Sequence, residues 1–232
     1  MDTPPTVDEI QRTEQNCLFL LMPRQEVIPS DSTSLRVDRD PSAGAICVAL
    51  AASAGGLKAL TVVLAALPET FGATIVVVQH LDPKHPSVVA QILDRRTPLR
   101  VVQASEGAQL QAGMVFIAPP ARHLVVTPDH RAALLSTAPV HYVRPSADVL
   151  FSSVAQVYRE RAIAVVLSGS GSDGSGGICQ VKELGGAVVV QEAAEFEGMP
   201  HAAAQSGCAD RIVPLEEIAE VLVTLVAERS VP

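Results

Sequence analysis

Three short apolar runs, rich in β-branched residues, each hand over to a side chain suited to catalysis and then to a turn or helix signal. Ala45-Ile46-Cys47-Val48-Ala49-Leu50 leads into Ala51-Ala52-Ser53-Ala54-Gly55-Gly56, and Thr74-Ile75-Val76-Val77-Val78-Gln79 delivers His80. Ile163-Ala164-Val165-Val166-Leu167 opens into Ser168-Gly169-Ser170-Gly171-Ser172-Asp173-Gly174. Runs of this length without polar alternation suit strands buried on both faces, as in a parallel sheet covered by helices. In such sheets the loops at the carboxyl ends of the strands converge on one crevice, and ligands bind there. A serine, a histidine and an aspartate in one crevice are the parts of a nucleophilic hydrolase.

Composition agrees with that architecture. Of 232 residues, 48% are hydrophobic but only 3% aromatic, with no Trp, so Val, Ala, Leu and Ile must build the core. The length fits one α/β domain plus an N-terminal extension better than two domains. A formal charge of −8 argues against a nucleic-acid binder, because no basic tract is present to neutralise phosphates. The local exception, Arg95-Arg96 with Arg100, reads as a solvated helix end. Cys17, Cys47, Cys179 and Cys208 are widely spaced with no C-x-x-C, which predicts free thiols and a reducing, cytoplasmic setting. Cys47 falls within a strand, where it acts as a small hydrophobe. The acidic start lacks the basic residues of a signal peptide. The apolar stretch 17–22 is too short to span a bilayer and reads as a docking segment or a short strand.

Residues 1–43, rich in Pro, Asp, Ser, Thr and Arg, read as a flexible arm, and 44–232 as the folded domain. Helices are predicted over 57–67, 87–96, 147–159, 175–184, 201–206 and 215–228. Beyond the three runs, strands are predicted near 99–103, 114–117, 123–127, 132–136, 187–191 and 211–213. Thr127-Pro128-Asp129-His130-Arg131 joins two of these as a hairpin rather than a crossover. Pro145 and Ser146 mark one helix start, and Gly185-Gly186 a helix end.

Ser53 lies in a small-x-Ser-x-small turn similar to a nucleophile elbow, and the helix start behind it offers free N–H groups to an oxyanion; a plain N-cap serine is the alternative. His80 is a candidate base or a buried structural histidine. A metal set of His80, Asp82 and His85 is disfavoured, because Pro83 breaks the helix that would align the two histidines. The Gly/Ser loop around Asp173 resembles a phosphate cradle but lacks the P-loop Lys, and Asp-Gly is also ordinary turn chemistry. The order Ser, His, Asp is not that of α/β-hydrolases.

These segments carry a resemblance. Ala52-Ser53-Ala54-Gly55-Gly56, Val77-Val78-Gln79-His80, Gly113-Met114-Val115-Phe116-Ile117-Ala118-Pro119-Pro120, Arg144-Pro145-Ser146, Leu167-Ser168-Gly169-Ser170-Gly171-Ser172-Asp173-Gly174 and Gly198-Met199-Pro200 follow one another as in chemotaxis protein-glutamate methylesterases, the CheB family. The likeness runs from about Ala45 to Ala227 and is closest, around 79–83 and 171–174, to the branch fused elsewhere to methyltransferase and sensor modules. It implies a doubly wound, three-layer α/β/α fold with a mostly parallel sheet and a small antiparallel hairpin at one edge. It implies hydrolysis of γ-glutamyl methyl esters on chemoreceptor helices, in many members with deamidation of receptor glutamines. It maps Ser53 as nucleophile, His80 as base and Asp173 as the orienting acid, with Ala54, Gly55, Ser170, Gly171 and Met199 as oxyanion or substrate contacts. It implies no metal or organic cofactor, methylated chemoreceptor helices as partners, and a sensory or methyltransferase module as a further candidate partner; nucleic acid and membrane insertion are not implied.

Three departures stand out. Members of two-component systems usually carry a receiver domain where this chain has its arm, so phosphorylation control within the chain is not expected. Ala54 and Ser170 replace the Thr and Met frequent in relatives, and His201 stands where Arg often follows Gly-Met-Pro. Ala54 and Ser170 motivate a second reading, a methylesterase-like binding module of weak activity, against which the intact Ser, His and Asp set argues; a serine esterase or amidase acting outside chemotaxis is a third.

Overall fold

The computed structural model describes residues 45–82 and 85–230. The predicted arm and the apolar stretch 17–22 lie outside them. Nine strands are described: β1 (Cys47–Ala52), β2 (Thr74–Gln79), β3 (Arg100–Gln103), β4 (Met114–Ile117), β5 (His123–Val126), β6 (Ala132–Leu135), β7 (Ala162–Val166), β8 (Ala187–Gln191) and β9 (Arg211–Val213). Six α-helices alternate with them: α1 (Gly56–Ala66), α2 (Val89–Asp94), α3 (Ala147–Tyr158), α4 (Ser175–Glu183), α5 (Gly198–Gln205) and α6 (Ile218–Arg229). Seven strands form one sheet in the order β3-β4-β2-β1-β7-β8-β9, every pair parallel, while β5 and β6 make a separate antiparallel pair.

Side-chain alternation divides the core in two. Val48, Leu50, Ile75, Val77, Ile163 and Val165 point to the face covered by α1, α2 and α6, where Leu60, Leu64, Leu93 and Leu222 meet them. Cys47, Ala49, Val76, Val78, Ala164 and Val166 point to the face covered by α3, α4, α5 and the β5–β6 hairpin, against Leu150, Phe151, Val154, Ile178, Met199 and Leu124. Both faces of the central strands are therefore dry, which explains runs without polar alternation. Each aliphatic side chain so buried contributes about 1.5–3 kcal/mol, enough in number to replace large aromatics.

Several boundaries shift for local reasons. β1 runs on through Ala51 and Ala52, expected in the turn, because their small side chains are fully buried and paired with Val78 and Gln79. α1 stops at Ala66 because Leu67, before Pro68, is forced to extended geometry with ψ 143°. The predicted helix 87–96 contracts to six residues, leaving Arg95 and Arg96 exposed in the turn beyond it. α5 begins at Gly198 rather than 201, since Pro200 is tolerated in a first helical turn. The expectation that Cys179 and Cys208 are free thiols is corrected, for they form a disulfide across 29 residues. α4 carries one and the turn after α5 the other, and packing of these helices brings together residues that spacing alone kept apart.

Candidate active site

β1 and β2 are paired to their last residues, with Ala52 opposite Gln79, so Ser53 and His80 leave the sheet side by side. The His80 N–H donates to the Ala52 carbonyl at 3.0 Å. The buried Gln79 carboxamide ties the two departures together: its Nε2 donates to the Ser53 carbonyl at 2.8 Å and to the His80 carbonyl at 3.1 Å. Two carbonyl partners require the NH₂ end of the amide, so its orientation is fixed.

On the other flank of β1, the Ser53 N–H donates to the Ser168 carbonyl at 3.0 Å, just past β7. Ser168 is buried and knots the loops together. Its N–H donates to Gln191 Oε1 (2.9 Å), its hydroxyl to the Ala54 carbonyl (2.9 Å), and its Oγ accepts the Phe196 N–H (3.1 Å). The chain is so close here that a Cβ on Gly169 would lie 2.3 Å from Met199 Sδ and 2.9 Å from Ser53 Cβ. Gly55, at φ 72°, supplies the left-handed turn into α1, and the Gly56 N–H folds back onto the Ser53 carbonyl at 2.9 Å. Ala54 and Gly55 stand between, with their N–H groups at the helix start.

His80, with 12% of its side chain exposed, meets the buried Asp173 through Nε2···Oδ2 at 2.8 Å. Asp173 also accepts the Ala147 N–H (2.6 Å), the Ser146 hydroxyl (2.7 Å) and, at 3.3 Å, the Asp148 N–H, all at the start of α3. Burial alone would raise its pKa. The His80 hydrogen bond, the Ala147 N–H, the His80 charge and the Ser146 hydroxyl outweigh burial and hold it below the usual carboxylate value. An ionised carboxylate only accepts, so the shared proton sits on Nε2 and the Nδ1 lone pair is left as the basic site of His80.

Asp148 is the mirror of this arrangement. It lies in the first turn of α3, yet its Oδ1 accepts the Gly177 N–H from the first turn of α4 at 2.6 Å, and Oδ2 faces His141 Nε2 at 3.3 Å. Burial and the neighbouring Asp173 charge push its pKa up to about 6, against the pull of Gly177, Gly174 and His141. His123, fully buried on β5, accepts the Ser146 N–H on Nδ1 (3.1 Å) and donates from Nε2 to the Ala138 carbonyl (3.0 Å). Burial chiefly lowers its pKa, so it stays neutral and anchors Ser146 beneath Asp173.

The likeness to known proteins decides what kind of crevice this is. Residues 48–222 match the family model for the CheB methylesterase. The chain belongs to the CheB methylesterase family. A relative from Leptospira interrogans is 36% identical over 180 residues, covering 77% of this chain and 93% of that protein. A protein-glutamate methylesterase/protein-glutamine glutaminase of Anaeromyxobacter dehalogenans is 43% identical over 178 residues, 75% of this chain and 52% of its own length. The crystal structure of the Thermotoga maritima CheB methylesterase catalytic domain superposes with a TM-score of 0.76 at 33% identity, covering 78% of this chain and 98% of that one. The seven-stranded parallel sheet with its small antiparallel pair is thus the CheB catalytic-domain fold.

Within that CheB frame Ser53 and His80 leave neighbouring strand ends, His80 meets Asp173, and Ala54 and Gly55 follow Ser53 in the turn into α1. Ser170 and Gly171 are exposed on the loop above, and His201 is exposed on α5. The expectation for Met199 is revised: at 1% exposure it packs behind Gly169 and supports the Ser53 wall from the core side. Asp82 pairs with His85 at 3.0 Å, whereas His80 turns to Asp173, so the sequence-adjacent trio does not converge. Gln79, His123, Asp148 and Ser168 escaped the sequence reading as site residues. Their bonds to Ser53, Ser146, Gly177 and Ala54 join positions 23 to 114 residues apart, and only Pro145-Ser146, a helix-start signal, hinted that α3 was involved.

Proposed function

We propose that this chain hydrolyses γ-glutamyl methyl esters on chemoreceptors, with Ser53 as nucleophile, His80 as general base and Asp173 as the orienting acid. The observation that carries it is the His80–Asp173 contact of 2.8 Å beside a serine whose backbone is fixed from both flanks. Nδ1 of His80 takes the Ser53 hydroxyl proton as Oγ attacks the ester carbonyl. The Ala54 and Gly55 N–H groups receive the developing oxyanion, each such donor lowering the barrier by roughly 3 kcal/mol. The protonated imidazole, stabilised by ionised Asp173, returns the proton to the departing methoxide. Methanol leaves, water repeats the sequence on the acyl-enzyme, and glutamate is restored. The same steps on a carboxamide release ammonia, the glutaminase half of the relatives' names. The scheme uses no metal or cofactor. Action in the cytoplasm belongs to the reading, and no described helix is long and apolar enough to cross a membrane.

Methanol release from a methylated chemoreceptor tests the proposal. Ser53→Ala should reduce it by several orders of magnitude, about 10⁶-fold being the scale for losing a triad nucleophile. A variant keeping more than about a tenth of the wild-type rate removes Ser53 from that role. Receptor binding without methanol at any pH from 6 to 9 identifies a binding module instead. Turnover of a small ester alone identifies an esterase outside chemotaxis.

A further inference from the structure

Aromatic side chains are scarce in this chain: five Phe, two Tyr and no Trp. Phe71, Phe116, Phe151 and Tyr158 are buried in the core. Among the described residues the two exposed aromatics are Tyr142, at 102%, and Phe196, at 41%, and each sits on a loop beside one that carries a member of the proposed triad, Tyr142 between β6 and α3 and Phe196 between β8 and α5. Tyr142 lines a cavity of about 170 Å³ together with His80, Leu81 and Arg144. Phe196 lies against the Ser53 turn, its ring carbons 3.1 and 3.5 Å from the Cβ position of Gly55.

Both are held on rigid supports. His141 and Tyr142 occupy a two-residue turn closed by reciprocal Val140 and Val143 bonds of 3.1 and 2.9 Å, at φ 48° and 65°. Such a turn favours Asn-Gly, and two consecutive bulky residues there are strained. The turn is fastened by the His141–Asp148 contact at 3.3 Å and by Arg144 Nη1 donating to the Thr137 carbonyl at 2.7 Å. The Phe196 backbone is pinned by Ser168 Oγ (3.1 Å) and by the Gly169 N–H on its carbonyl (2.9 Å). Packing does not account for a fully exposed tyrosine in a strained turn. Presentation to a partner does.

We propose that Tyr142 and Phe196 are docking anchors for the polypeptide that carries the ester, gripping apolar side chains of the chemoreceptor segment that flank the modified glutamate. The proposal rests on the function above. Rigid aromatics supply contact area at little entropic cost and dominate protein interfaces. At a formal charge of −8 the chain gains nothing from long-range attraction toward a glutamate-bearing segment, so apolar anchors must supply the affinity. A small ester has no flanking side chains for either ring to grip.

The test compares kcat/KM for methanol release from methylated receptor with kcat/KM for p-nitrophenyl acetate, in the wild type, Tyr142→Ala, Phe196→Ala and the double variant. Each single variant should lower the receptor-to-ester ratio at least tenfold, chiefly through receptor KM, with a larger loss in the double variant; Tyr142→Phe should restore the ratio. Phe196→Leu replaces Phe196→Ala should the latter fail to fold. Ratios within twofold of wild type for both positions would overturn the docking role while leaving the proposed function standing. A wild-type chain that releases no methanol from receptor overturns that function, and the docking role with it.

Discussion

Asp148 offers the sharpest quantitative test of the electrostatics. It is buried between the starts of α3 and α4, facing the Asp173 carboxylate, the His141 ring and the Gly174 and Gly177 N–H groups. Its pKa rises from 3.8 to about 6 in the folded protein, so the native state binds the proton more tightly than the unfolded chain. The stability this gives is complete below the unfolded value and is lost as pH rises through the folded one. A rise of about 2 pKa units corresponds to roughly 3 kcal/mol once the carboxylate is ionised in both states. About 1 kcal/mol of this is already lost at pH 4.5. Asp148→Asn keeps an acceptor for the Gly177 N–H and removes the charge. Its stability relative to wild type should therefore grow by about 2 kcal/mol between pH 4.5 and pH 8, in urea unfolding followed by circular dichroism. Asp173, held below its ordinary value, has the opposite sign and destabilises only as pH falls through its depressed folded pKa, outside that interval. A gap constant within about 0.5 kcal/mol across the interval would show that Asp148 titrates as in the unfolded chain, and the account of two carboxylates sharing one site would be wrong.

Asp173→Asn should lower methanol release about 10⁴-fold by favouring the wrong imidazole tautomer, with little further loss when His80→Ala is added; steady-state kinetics of the single and double variants decide. Gly169→Ala drives a methyl into Ser53 Cβ and Met199 Sδ, at 2.9 and 2.3 Å, and should cost about 1–3 kcal/mol of stability and roughly 10²-fold in kcat, measured by thermal melts and methanol release. Gln79→Glu sets a carboxylate against the Ser53 and His80 carbonyls and should lower both kcat and thermal stability, while an unchanged kcat would remove the clamp from the account. Reducing the Cys179–Cys208 bridge should destabilise by roughly 2–4 kcal/mol, read as a fall in urea midpoint with reductant, and Cys208→Ser should abolish that response.

What the sequence disclosed and what it hid follow from the range of the interactions. The strands carrying Ser53, His80 and Asp173 were legible because full burial of a parallel sheet writes itself into a continuous apolar run, and a parallel sheet then sends successive loops to one end. Ala51 and Ala52 misled because small residues suit a tight turn as well as a crowded strand. The Cys179–Cys208 pair was hidden by the same limit: its closeness is created by helix packing, which no spacing rule records. Met199 was identified by a motif in the right neighbourhood, but a motif does not say which side of a loop a side chain supports. Gln79 sat in plain view at the end of its strand, and only the parallel register of Ala52 with Gln79 shows why an amide there reaches both departing loops.

The exchange of acids between α3 and α4 explains why one carboxylate of the pair ionises readily and the other resists. Asp173, just before α4, is held by N–H groups of α3, and Asp148, inside α3, is held by an N–H of α4. Each helix start offers positive potential, but one buried crevice cannot cheaply hold two negative charges. Asp173 has the larger share, with two backbone N–H groups, the Ser146 hydroxyl and His80, so it keeps its charge and Asp148 yields. The arrangement requires the helices to touch closely, and Gly177 permits it: a Cβ there would lie 2.8 Å from Phe151 Cβ and 3.0 Å from the Asp148 backbone. Packing of the two helices at this glycine thereby seats Asp148 beside Asp173, and it is the Asp148 pKa that rises while Asp173 stays ionised against His80 Nε2.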